Sequence, residues 1–162
     1  MRVKKYILNC FLLLVPIFLW NVFLVDYLPS SYSPEVFDSN IPTLISYGEN
    51  ALRFIVFVLP AIMILSMKTR IEKIGLSFYL LGTLIYFSSW VAVIHYPNSY
   101  WSLSGFGFTA PAHTTIIWFI GIGLIGNKSF LKIPHFSKIY IALSVLFVLF
   151  HTLHASIVFN RL

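Results

Sequence analysis

Charge is the scarcest thing in this chain. Only 10% of its 162 residues are Asp, Glu, Lys or Arg, where a soluble domain carries about a quarter. A protein with so little polar surface is not built to stay dissolved in water. Acidic residues are the rarest of all, limited to Asp26, Glu35, Asp38, Glu49 and Glu72. The sequence puts the first four in loops or at interfaces, which leaves no acid inside a span for a two-carboxylate mechanism. Cysteine is nearly absent too: Cys10 stands alone, which rules out an intramolecular disulfide and leaves the redox compartment unread. Internal repeats, low-complexity tracts and a linker to a second domain are also missing. A single membrane domain over residues 1–162 is the simplest organisation.

What the chain has is apolar length: 59% of its residues are hydrophobic and its mean hydropathy is +0.87. The pattern predicts an all-α, polytopic membrane protein with five transmembrane helices, at about 6–25, 50–67, 74–94, 111–126 and 139–159. The first run is long enough to cross about 30 Å of hydrocarbon. It is too long for a signal-peptide core, and Trp20-Asn21-Val22 offers no small-residue cleavage site. It reads as a retained span, bent at Pro16. Residues 26–48 form the one long polar connection, rich in proline and serine, with a short interfacial piece near 41–47. Pro60 falls near the middle of the second span. In the third, Tyr79, Gly82, Tyr86 and Ser89 share one face at helical spacing, a stripe suited to packing against another membrane helix. Pro111 is placed at the first turn of the fourth span, where its missing N–H costs nothing. Gly121, Gly123 and Gly126 spell G-x-G-x-x-G, but they end an apolar helix instead of opening one after a strand. Close helix packing explains them better than a dinucleotide.

The basic residues orient the chain. Arg2, Lys4 and Lys5 precede the first span, Lys68, Arg70 and Lys73 separate the second from the third, and Lys128, Lys132 and Lys138 separate the fourth from the fifth. Five spans place all three groups on one side, which the positive-inside rule assigns to the cytoplasm. The N-terminus is then expected inside and the C-terminus outside, in a cell membrane. The net charge of +6 is taken up by these loop clusters, so acidic lipid headgroups are expected as partners and nucleic acid is not. A membrane protein partner or a homo-oligomer fits the same composition.

The same topology puts His135 in a cytoplasmic loop and gathers His95, His113, His151 and His154 towards the outer side. His151 and His154 lie three residues apart, on one helix face. Four imidazoles at one level are candidate ligands for a transition metal or haem. Against that, H-x-x-H lacks the glutamate of H-E-x-x-H, and each ring has a plainer role as a hydrogen-bonding partner between helices. Arg53 follows Glu49 by four residues, in the favourable order for an ion pair; a headgroup- or anion-binding role is the functional alternative. The loop residues Tyr96, Tyr100, Trp101, Phe106 and Phe108 could cap a lipophilic ligand such as a quinone or a lipid tail, or form an ordinary interfacial belt. Ser102 and Ser104 lie in no G-x-S-x-G elbow, so no nucleophile is marked. The sequence therefore predicts a binding, accessory or sensory component ahead of an enzyme. A metal- or haem-binding redox protein and a lipid-modifying enzyme are the alternatives.

Overall fold

The computed structural model describes residues 8–131 and 133–162. Arg2, Lys4, Lys5 and Lys132, with the start of the first expected span, lie outside the described residues. Seven α-helices are present among the described residues: α1 Val15–Leu24, α2 Pro34–Phe37, α3 Thr43–Val58, α4 Arg70–His95, α5 Gly105–His113, α6 Thr115–Ile125 and α7 Phe136–Phe159. Tight 3₁₀ turns extend α1 at both ends and carry α3 on to Ile62. Five stretches among the described residues are long and apolar enough to cross a membrane: Cys10–Tyr27, Thr43–Ile62, Arg70–His95, Gly105–Ile125 and Phe136–Phe159.

Several boundaries differ from the sequence reading. The second stretch begins at Thr43, behind Pro42, seven residues before the expected Asn50, and it stops at Ile62. Pro60 therefore lies in its closing 3₁₀ turn and not at its centre, since proline cannot continue an α-helical ladder. Beyond it, Met63–Leu65 are extended, because neighbouring chain segments claim their backbone. The Cys10 N–H donates to the Met63 carbonyl (2.9 Å), the Ile64 N–H to Lys128 (2.8 Å) and the Phe130 N–H to Ile62 (3.0 Å). Pro16 sits in the first turn of α1, after a 3₁₀ stretch, and not at a mid-helix bend. The fourth stretch starts at Gly105, capped by the Ser104 hydroxyl on the Gly107 N–H (3.0 Å). Pro111 is consequently inside a helix, and the break between α5 and α6 follows it at Thr114.

This fourth stretch is the most buried of the five and forms the axis of the bundle, packed by α4 along one side and α7 along another. Small residues allow that approach. A Cβ at Gly82 would overlap the backbone of Ile117 and Trp118, and one at Gly121 would overlap Tyr79. Gly123 lies under Ile141, and Gly126 against Met63 and Cys10. The G-x-G-x-x-G run is thus a packing surface, and the stripe of Tyr79, Gly82, Tyr86 and Ser89 is buried. The bundle has a basic end, holding Lys68, Arg70, Lys73, Lys128 and Lys138, and an acidic end, holding Asp26, Glu35 and Asp38.

Candidate functional site

Glu49 is the centre of the site. Starting α3 at Thr43 places Glu49 about 9 Å and Arg53 about 15 Å along the helix. Both lie further from the helix start than the sequence reading placed them, and Glu49 is only 1% exposed. Burying a carboxylate is costly unless it is paired and hydrogen-bonded, and Glu49 is paired three times. Its Oε1 accepts from the Arg53 guanidinium, one turn on. The same oxygen lies 3.0 Å from His151 Nδ1, while Oε2 lies 2.6 Å from His154 Nδ1.

The protons in this cluster can be placed by elimination. His154 Nε2 lies 3.0 Å from the Phe37 carbonyl oxygen, which only accepts, so Nε2 carries a hydrogen. Its Nδ1 faces a carboxylate oxygen at hydrogen-bond distance, and two lone pairs cannot meet there, so a second proton lies between them. Wherever that proton sits, Glu49 and His154 together are neutral. Arg53 adds one positive charge. The cluster therefore carries a net charge of about +1 with the His151 ring neutral. His154 is buried, and its ring stacks on Phe37 with centroids 4.7 Å apart. That contact ties the short helix α2 to α7. Arg161 reinforces the tie by donating to the Ser39 carbonyl. Tyr32, on the same connection, donates its hydroxyl to the Phe108 carbonyl (2.8 Å), and burial holds its phenol pKa above the ordinary range.

Arg53 and His151 differ from His154 in being reachable. Their side chains keep 45% and 24% of their exposure, and both line a cavity of about 420 Å³. Its floor is aromatic: Phe57 meets Phe18 (5.2 Å), Phe119 (5.9 Å) and Phe147 (6.2 Å), ring centre to ring centre. One helical turn above that floor stand three nitrogen-bearing side chains, one on each of three helices. Asn21 is three residues beyond Phe18 on α1, Arg53 four before Phe57 on α3, and His151 four beyond Phe147 on α7. Because α1 and α3 run antiparallel, both displacements lead towards the acidic end. The His151 ring lies parallel to Phe147, at 5.5 Å and 8°, so its plane is held as firmly as its Nδ1. A second cavity, of about 440 Å³ beneath Tyr32 and Phe108, has no charged side chain in its lining.

The four histidines expected to gather do so only in part. His151 and His154 meet on Glu49. His113 packs its ring on Phe106 (4.7 Å), with Nδ1 3.4 Å from the Thr109 hydroxyl, and His95 is exposed at the end of α4. His135 is exposed and left-handed at the start of α7 (φ 56°). Among the described residues no group of three or more His, Cys, Asp or Glu is arranged to hold a metal ion. Arg53 makes the ion pair its spacing suggested and still faces the cavity. Sequence reasoning missed Asn21, an unremarkable polar residue in an apolar run. Its Oδ1 accepts the Tyr86 hydroxyl at 2.6 Å. Asparagine inside a span was the available signal, since a polar side chain in hydrocarbon needs a partner.

The fold and the cavity define an all-helical protein with five helices suited to crossing a membrane and a charged, aromatic-floored groove among them. Compared with protein-family models, curated proteins and solved structures, the chain finds no match.

Proposed function

We propose that this protein is a membrane-embedded binding protein for an anionic amphiphile, which it holds in the groove headed by Arg53 and His151. One observation carries the reading: a half-exposed guanidinium in a cluster of net positive charge faces an otherwise apolar groove. With the basic end in the cytoplasm, as the charge distribution favours, the groove opens in the outer half of the bilayer. An arginine facing lipid at that depth is costly, and an anionic headgroup removes most of the cost by pairing with it. The apolar walls suit the chain of the same molecule.

The test is to purify the protein in mild detergent and quantify the lipids that remain bound. Wild-type protein retains an equimolar anionic amphiphile, and Arg53→Gln, which stays polar and loses the charge, releases it. Bound lipids that merely mirror the bulk membrane in both proteins would sink the reading.

Acid–base work on the bound molecule is a second reading, favoured by the His151 geometry. Glu49 takes Nδ1, and Nε2 has no hydrogen-bonding partner among the described residues. A carboxylate that orients an imidazole this way leaves the other nitrogen free to move a proton. Turnover of a bound lipid by wild type and not by His151→Phe would support it; unchanged lipid would leave binding alone.

A further inference from the structure

The polar atoms of the groove say more about the headgroup than its charge. This step rests on the anion-binding reading above. The Thr115 hydroxyl is spent on the Ala112 carbonyl at 2.6 Å, and the Tyr86 hydroxyl on Asn21 Oδ1. The Trp90 and Trp118 indole N–H groups have no partner but are buried, and among the described residues three groups that a ligand can reach remain without an acceptor or donor. Arg53 has guanidinium N–H groups beyond the one that Glu49 accepts. Asn21 has its amide N–H₂, because its oxygen is already taken. His151 has Nε2, which in the neutral ring is a lone pair, since Nδ1 holds the hydrogen that faces Glu49.

The groove thus offers two donors and one acceptor from three helices, around a charge of about +1. A carboxylate has two coplanar oxygens and, when ionised, nothing to donate. A phosphodiester has the charge and the oxygens but no P–OH. A phosphomonoester in its monoanionic form has all of them. Its ionised oxygen pairs with Arg53, its P–OH donates to His151 Nε2, and a third oxygen accepts from Asn21. Its single negative charge cancels the charge of the cluster.

We infer that the groove selects a lipid carrying a terminal phosphate, a phosphomonoester on an apolar chain, and that His151 sets this preference while Arg53 and Asn21 supply attraction common to all phosphate oxygens. The aromatic floor and apolar walls, which a free phosphate cannot use, argue for the lipid as occupant.

Native mass spectrometry of the whole protein in detergent, titrated with single lipids, tests this. Phosphatidic acid is expected to bind at least about tenfold more tightly than phosphatidylglycerol or oleate, the effect of one well-made buried hydrogen bond. His151→Phe is expected to erase that preference, and Asn21→Leu to weaken phosphatidic acid and phosphatidylglycerol alike; a tenfold preference that survives His151→Phe overturns the assignment to that ring. Equal affinity for phosphatidic acid and phosphatidylglycerol in wild-type protein overturns the inference and leaves the anion reading standing. Equal affinity for phosphatidylcholine overturns both. Displacement of phosphatidic acid by an equal concentration of inorganic phosphate would make free phosphate the ligand and overturn the lipid assignment. The wild-type comparisons decide the matter even if a variant fails to fold.

Discussion

Two carboxylates in the described chain are almost fully buried, Glu49 and Glu72, and their partners separate their roles. Glu72 Oε2 accepts from the backbone N–H groups of Lys68 (2.7 Å) and Thr69 (2.8 Å) and from the Ser66 hydroxyl (2.9 Å). With Thr69 it forms the capping box that starts α4. Those donors lie at an exposed turn, where water can replace the carboxylate. Glu49 is met by three side chains, Arg53 on its own helix and His151 and His154 on another. Removing it leaves Arg53 and His154 without a counter-charge in an apolar setting. Glu49→Ala is therefore expected to cost about 3–5 kcal/mol, the range for breaking a buried ion pair. Glu72→Ala is expected to cost about 0.5–2 kcal/mol, the range for a lost helix cap. Thermal unfolding in detergent compares the two, and similar losses would show that Glu49 is no more than another local cap.

At the scale of elements, the groove depends on how α4 sits against α6. Gly75 and Gly82 on α4 and Gly121 on α6 let the two backbones touch. That contact sets Tyr86, one turn from Gly82, at the depth where its hydroxyl reaches Asn21 on α1. A side chain at Gly82 would have to displace the backbone of Ile117 and Trp118, and Trp118 lines the groove. Gly82→Val is expected to destabilise the protein by about 1–3 kcal/mol through overpacking and to weaken ligand retention with Asn21 and Arg53 both intact. Gly105, whose Cβ would meet only the edge of the Phe159 ring at 3.1 Å, is the control: Gly105→Ala should leave ligand retention unchanged. Equal retention by wild type and Gly82→Val would separate the groove from this packing.

For the whole molecule, direction across a membrane is a prediction made from the distribution of charge. Asp26, Glu35 and Asp38 share one end; Lys68, Arg70, Lys73, Lys128 and Lys138 share the other, with Glu72 spent there on the cap of α4. With Cys10 replaced by serine, Ser39→Cys and Tyr100→Cys are expected to react with an impermeant maleimide in intact cells. Lys128→Cys should react only after permeabilisation, and the reverse pattern would invert the topology. The number of apolar segments, the clustering of positive charge and the packing use of the glycines were legible along the chain, because hydropathy, loop charge and helical period are local properties. The Glu49–Arg53 pair was legible for the same reason, being four residues apart on one helix. Where α3 begins was not: residues 43–48 read as part of the polar connection with a short interfacial piece near 41–47, whereas the structure makes them the start of α3 and buries Glu49 among its neighbours. Nor could any local pattern bring Glu49 to His154, 105 residues away, or set Asn21 across a groove from Arg53. Those meetings depend on how each helix is rotated and how far it slides against its neighbours. By itself the sequence determined a five-helix apolar chain with one basic side. The tertiary structure alone decided that its buried acid, its half-exposed arginine and two of its histidines form one site, because rotation and depth are set by packing between helices.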